Sequence, residues 1–259
     1  MKGVAGPLRV CLTALALLGV WEAIVLVAEP PRYILPGPGA TILTLFERLP
    51  HILGHAWVTA AEMALGLLLG VGVGCATAFA MAYWSRAYRW LMPALVASQA
   101  VPVFALAPLL VLWLDYGMSS KVAMAGLIIF FPVTAALLDG LKGVDPGWTD
   151  LARTMGAGPW RTLVHIRLPA AVPAFASGLR VAAAVAPIGA VVGEWVGSSA
   201  GLGHLMLHAN ARLQTDLMFA ALLTLVALSA LLYFTLDCLL ARAERWARGG
   251  VGPPEARQA

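Results

Sequence analysis

Charge is the scarcest commodity in this chain. Only 12% of its 259 residues are Asp, Glu, Lys or Arg, against 61% hydrophobic, where an ordinary soluble domain carries about 25% charge. Lysine is scarcer still. The three lysines, Lys2, Lys121 and Lys142, precede Gly3, Val122 and Gly143, so none stands in the Lys-Ser/Thr pair that a Walker A phosphate loop requires. A Gly70-Val-Gly-Val-Gly run has no strand before it and lies inside an apolar stretch, which removes it from the nucleotide-binding loops. The three cysteines, Cys11, Cys75 and Cys238, show no CxxC spacing and each lies among apolar residues; they read as packing residues rather than disulfide or metal partners. HExxH and SxxK are absent. These absences argue against an enzyme, a resident cofactor or a metal centre. The net charge of +4 is no nucleic-acid signal in so apolar a chain.

What is present in quantity is apolar sequence. The mean hydropathy is +0.84, and stretches near the ~20 residues needed to cross a bilayer recur throughout. The expected fold is an all-α polytopic membrane protein with six transmembrane helices, at about 8–28, 57–84, 93–114, 122–141, 174–196 and 217–240. The first run follows Lys2 and Arg9 but exceeds a signal-peptide core in length, so it reads as a retained span. Thr41 is expected to cap a short surface helix reaching about Leu53, with Ile42, Leu45, Phe46 and Leu49 on one face. Gly66, Gly70 and Gly74, continued by Ala78, recur every fourth residue and suit close helix–helix approach. Pro102 and Pro108 should kink the third span, which also carries Gln99.

Six spans put both termini on one side. Lys2, Arg9, Arg86, Arg89, Lys142, Arg153, Arg161, Arg167 and four tail arginines fall there, twelve against the four of the other side (Arg32, Arg48, Lys121 and Arg212). The positive-inside rule then makes the termini, the loop 142–173 and the tail 241–259 cytoplasmic. Ionisable groups within spans are candidates for function because burying one is costly. Glu62 lies near the external start of the second span and Glu194 near the external end of the fifth, where Glu194 and the adjacent Trp195 join Gln99 as substrate-path candidates. Arg180 is placed to snorkel to the cytoplasmic interface. His51/His55 and His204/His208 are i, i+4 pairs on the external side, each without an evident third ligand.

The organising stretch is 150–169, DLARTMGAGPWRTLVHIRLP, the one long polar break among apolar runs. Asp145-Pro146 opens it, Thr149 or Asp150 can cap a first helix with Leu151, Ala152 and Met155 on its apolar face, Gly156 and Gly158-Pro159 break that helix, and a second runs from Pro159 to about Ile166 until Pro169 and Pro173 stop it. An exposed, partly apolar helix–glycine–helix elbow is a docking shape.

This stretch resembles the EAA loop of binding-protein-dependent ABC importer permeases: E-A-A, three residues, Gly, nine residues, Ile-x-Leu-Pro. Asp150-Leu151-Ala152, Gly156, Ile166, Leu168 and Pro169 hold that spacing, with Asp for Glu and Leu for the first Ala. The LPGP after span one, VPVFALAPLLVLWL at 101–114, FFP at 130–132 and GLG at 201–203 extend the resemblance to the nitrate/sulfonate/taurine branch. Asp115 stands where that branch has glycine, and its early arginine in span two is missing. The resemblance implies a type I (MetI-like) importer permease in the bacterial inner membrane, working with an ATPase dimer below, a periplasmic or lipid-anchored binding protein above, and a second permease copy, in a homodimer. ATP would be bound by the ATPase partner. It implies that Asp150, Leu151, Ala152, Met155, Gly156, Ile166, Leu168 and Pro169 couple the permease to the ATPase. The segment 193–222 looks closest to permeases for hydroxymethylpyrimidine and related thiamine precursors; sulfonate, taurine or nitrate cargo is the alternative. An ion-coupled secondary transporter would show paired intramembrane carboxylates and an inverted repeat, and neither is evident in the sequence.

Overall fold

The computed structural model describes the backbone of residues 5–249; side chains are described from Leu12 to Arg245, apart from Ala14. Lys2 and the end of the tail, including Arg257, lie outside these, as do the side chains of Arg9, Cys11 and Arg248. The described chain is helical throughout, in the order α1 (Ala5–Ala28), α2 (Pro38–Glu47), α3 (Leu49–Tyr83), α4 (Ser85–Ala100), α5 (Val103–Leu114), α6 (Met118–Lys142), α7 (Pro146–Thr154), α8 (Pro159–Thr162), α9 (Leu168–Gly197), α10 (Leu202–Ala211) and α11 (Thr215–Gly249). Among the described residues, four helical stretches are long and apolar enough to cross a bilayer: α3, α6, Pro159–Gly197 and Thr215–Arg245. The bent α4–α5 pair is long and apolar enough, taken together, to be a broken span or a re-entrant loop, and α1 contributes the shorter apolar segment Leu15–Ala28.

α6 is the centre of the bundle, with α3 on one side and α9 on the other. The glycine stripe of α3 explains how close the first of these contacts is. A Cβ at Gly70 would lie 2.6 Å from Ile129 Cγ2, and one at Gly74 would lie 2.9 Å from Val133 Cγ1. At Gly66 it would collide with the Ala125 Cβ. Partners advance by four as the glycines do, so α3 and α6 run parallel. On the other side Gly178 meets Ala136 and Gly189 meets Ala125; the numbers run in opposite directions, so α9 is antiparallel to α6. Lipid supplies no hydrophobic drive for helix association, and this small-residue contact supplies packing in its place.

Several local expectations change. Thr41 is not the cap of the surface helix: Gly37 is, followed by Pro38, and Thr41 lies inside α2 with its hydroxyl donating to the Gly37 carbonyl. That helix stops at Glu47, and α3 starts at Leu49, well before the expected start of its span. The third span is not one kinked helix but two, α4 and α5, meeting at 101°. Val101 takes an extended conformation because the ring of Pro102 disfavours the helical one before it. Lys121 is no solvated turn residue; it is buried in α6 and donates to the carbonyls of Tyr116 (2.7 Å) and Gly117 (2.9 Å). The Arg180 guanidinium joins Asp237 (2.7 Å) and Glu244 (2.9 Å), tying α9 to α11.

Pro169 and Pro173 do not stop the chain either. Between α8 and α9, residues 163–167 form one wide π-type turn in which the Leu168 N–H reaches the Leu163 carbonyl, one residue farther than in an α-helix. Pro169, at the start of α9, follows directly on this widened turn, and the helix continues through Pro173 to Gly197.

Candidate functional site

The bundle has two polar ends, and α9 joins them. At its start lies the polar elbow. Asp145, rather than Thr149 or Asp150, caps α7: its carboxylate accepts from the Gly147 N–H at 2.8 Å, and Pro146 occupies the first helical position. Asp150 is exposed and pairs with Arg153 at 2.9 Å. α7 has two unlike faces. Thr149 and Ala152 are buried against the bundle, while Trp148, Leu151 and Met155 point away, Met155 being 79% exposed. The expected single apolar face therefore splits, with Ala152 facing inward and Leu151 and Met155 outward. Gly156 ends the helix in the left-handed region at φ 79°, and the Ala157 N–H returns to the Ala152 carbonyl. No atom lies within 4 Å of a Cβ built there, so glycine is required by the backbone and not by crowding.

The rest of the elbow is its root. Leu163 is buried among Ala78, Met81, Leu137 and Leu141, and Leu168 packs on the same cluster. Ile166 and Pro169 are half-buried. The eight coupling candidates thus divide: Asp150, Leu151, Met155 and Gly156 form an exposed tip, and Ala152, Ile166, Leu168 and Pro169 hold it to the bundle.

At the other end of α9, Glu194 is buried and fully engaged. Its Oε1 accepts from the Thr59 hydroxyl at 2.6 Å, and its Oε2 accepts the backbone N–H groups of Gly203 and, at 3.3 Å, His204. The Leu202 N–H donates to Thr59 Oγ1 (2.8 Å), and the Gly201 N–H to His55 Nδ1 (3.0 Å). One carboxylate therefore caps α10 and ties the turn before it to α3. Gly201 has φ 111°, and a Cβ at Gly201 or Gly203 would run into the Glu194 carboxyl. Glu62 lies alongside, buried, its carboxyl against that of Glu194, with Lys121 as its other charged neighbour. Trp195 is half-exposed beside the buried Glu194 on α9, and Gln99 is exposed on α4, its amide on Ser98.

Sequence reading missed the meeting of the two histidine pairs. The rings of His51 and His55 are 4.8 Å apart, His55 and His204 6.0 Å, His204 and His208 4.1 Å, which makes a continuous row. Burial, then His208, pushes His204 below the usual imidazole range. Among the described residues no group of three or more His, Cys, Asp or Glu is arranged to hold a metal ion. The segment Gly197-Ser198-Ser199-Ala200-Gly201 satisfies GxSxG letter by letter, but it joins two helices, not the strand and helix of a nucleophile elbow.

Residues 66–249 match the family described as "Binding-protein-dependent transport system inner membrane component". A "Probable ABC transporter permease protein" of Haemophilus influenzae is 55% identical over 87% of this chain and 92% of its own length. The "Formylaminopyrimidine transport permease protein ThiX" of Halalkalibacterium halodurans is 35% identical, covering 89% and 92%. Further relatives are named for riboflavin, aliphatic sulfonate and taurine transport. A solved structure titled as inward-facing conformations of the MetNI methionine ABC transporter shares the fold, with TM-score 0.63 at 18% identity, over 72% of this chain and 93% of that one.

Proposed function

This chain belongs to the binding-protein-dependent transport system inner membrane component family and is the permease subunit of an ABC importer, and we propose that its cargo is a small aminopyrimidine of the thiamine-precursor class. The observation that carries the cargo reading is the 35% identity to a formylaminopyrimidine permease along nearly the full length of both chains. The family's machinery is an ATPase and a substrate-binding protein acting through a membrane subunit that is not itself an enzyme. Equilibrium binding of hydroxymethylpyrimidine and formylaminopyrimidine to the partner binding protein tests the cargo. Tight binding of either is the expected result. Binding of a sulfonate, taurine or nitrate with neither pyrimidine bound would replace this reading by its alternative.

We assign 8–240 as the membrane domain, with both termini and the elbow on the cytoplasmic side. The support is the bias of Lys and Arg toward that side. The elbow then docks in a groove of the ATPase through Trp148, Leu151 and Met155, three apolar side chains left exposed among the described residues. A second copy, in a homodimer, packs against the apolar groove between Leu69, Val73, Leu110, Leu127 and Phe130. Small-residue contacts inside each copy hold it as a body that can rock against its partner, which is the motion alternating access needs. Gln99 and Trp195 are placed on the solute path, and Glu194 shapes its outer end by fixing the turn at 201–204.

A further inference from the structure

A cavity of about 250 Å³ opens at the end of the bundle opposite the elbow. Six of its lining groups are Arg48, His51, His55, His204, His208 and Arg212. They come from the α2–α3 junction (Arg48), the first turns of α3 (His51 and His55), α10 (His204 and His208) and the turn after it (Arg212). Among the lining residues there is no carboxylate. Glu194 is committed to the backbone of α10 and Asp216 to Arg32 at 3.1 Å, while Glu47, the residue before Arg48, is exposed and does not line the cavity. Lys121 adds positive field to His204 from α6.

The chemistry of this lining favours one kind of ligand. His55 Nδ1 accepts from Gly201, so the proton of its neutral ring sits on Nε2. Two permanent guanidiniums and four imidazoles that donate more as they protonate suit an oxyanion, which accepts only. A metal cation would meet repulsion from Arg48 and Arg212. We propose that this pocket is a binding site for a small oxyanion, tightened by protonation of its histidine row.

The sign of the pH effect follows from linkage. In the empty pocket His204 sits below its ordinary range, so its proton is lost readily. A bound anion favours the charged ring, so binding takes up protons and strengthens as pH falls through the imidazole range. The same depressed value means that His204, in the empty protein, lowers stability as pH falls below the unfolded value, and a bound anion offsets this.

Two sources could supply the anion: a free solute, or a carboxylate on the binding protein when it docks over this end, the second of which rests on the permease reading. Sulfate is the probe of choice because its charge is constant across the range. Calorimetric titration of sulfate into the full transporter in nanodiscs should show affinity about tenfold tighter near pH 5.5 than near pH 8. Arg212→Gln and His208→Gln, both at exposed positions, should weaken it while the complex still purifies intact. Sulfate that fails to bind, binds equally at both pH values, or binds both variants as tightly as wild type overturns the proposal. So does preferential saturation by Zn²⁺. These titrations do not depend on transport. A second arm measures docking of the binding protein with and without saturating sulfate: competition identifies a docked carboxylate as the natural occupant, and undiminished docking identifies a free anion.

Discussion

At the scale of single residues, the chain concentrates its polar commitments in very few side chains. Glu194 alone satisfies two backbone donors and one hydroxyl at the end of α9 remote from the elbow. Truncating a buried acceptor leaves each donor unsatisfied at a cost of about 1–3 kcal/mol. Glu194→Ala should therefore lower the unfolding temperature of the detergent-solubilised protein markedly and loosen the turn at 201–204. Glu62, its neighbour, sets a second buried carboxyl beside Glu194, so Glu62→Gln, which keeps the shape and removes one ionisable group of the pair, should leave that temperature unchanged or raise it. A fall as large as that of Glu194→Ala would show that Glu62 is engaged in a way its geometry does not reveal. The sequence marked both acids as unusual because charges in spans are costly. It did not pair Glu194 with Thr59, which lies 135 positions away.

At the scale of elements, the α3–α6 contact is the most exacting. Gly70 faces Ile129 so closely that even a methyl overlaps it, whereas Gly72, on the same helix, has nothing within 4 Å of its Cβ position. Gly70→Ala should destabilise by about 1–3 kcal/mol through overpacking. Gly72→Ala should be neutral or slightly stabilising, since alanine is the better helix former. Comparing the two by thermal unfolding in one detergent separates packing from propensity; equal effects would mean that the stripe is not the contact surface. The stripe's period was legible before folding because it is local to one helix. The break between α4 and α5 was legible only as a kink, since Pro102 fixes where the helix fails but not the 101° at which the halves meet. Pro169 taught the opposite lesson: a proline expected to end a helix is accommodated by a wide turn immediately before it.

At the scale of the whole molecule, one helix links the two polar ends. α9 is a single continuous helix from the root of the elbow to Glu194, antiparallel to α6 and bound to α11 through Arg180. Displacement of the elbow can therefore be carried along α9 to the turn that lines the histidine pocket. Proline cannot adopt φ 79°, so Gly156→Pro should distort the elbow tip. Asp150→Arg places like charge beside Arg153. Either change should abolish co-purification of the ATPase while leaving membrane insertion intact, measured by affinity pull-down from solubilised membranes. Unchanged recovery of the ATPase in both variants would move the docking surface elsewhere.

The sequence by itself determined the helical class, the recurrence of apolar runs and the polar elbow broken at Gly156. Each is written in neighbouring residues, as hydrophobic runs long enough for a bilayer or as a motif of fixed spacing. Only the tertiary structure decided which side chains meet across helices: Arg180 with Asp237 and Glu244, Glu194 with Thr59 and the amides of α10, and two separate histidine pairs in one row. The reason is physical. Hydropathy fixes how deep a helix sits, but rotation and partner choice depend on where small residues let backbones approach, and that becomes defined only when the helices pack.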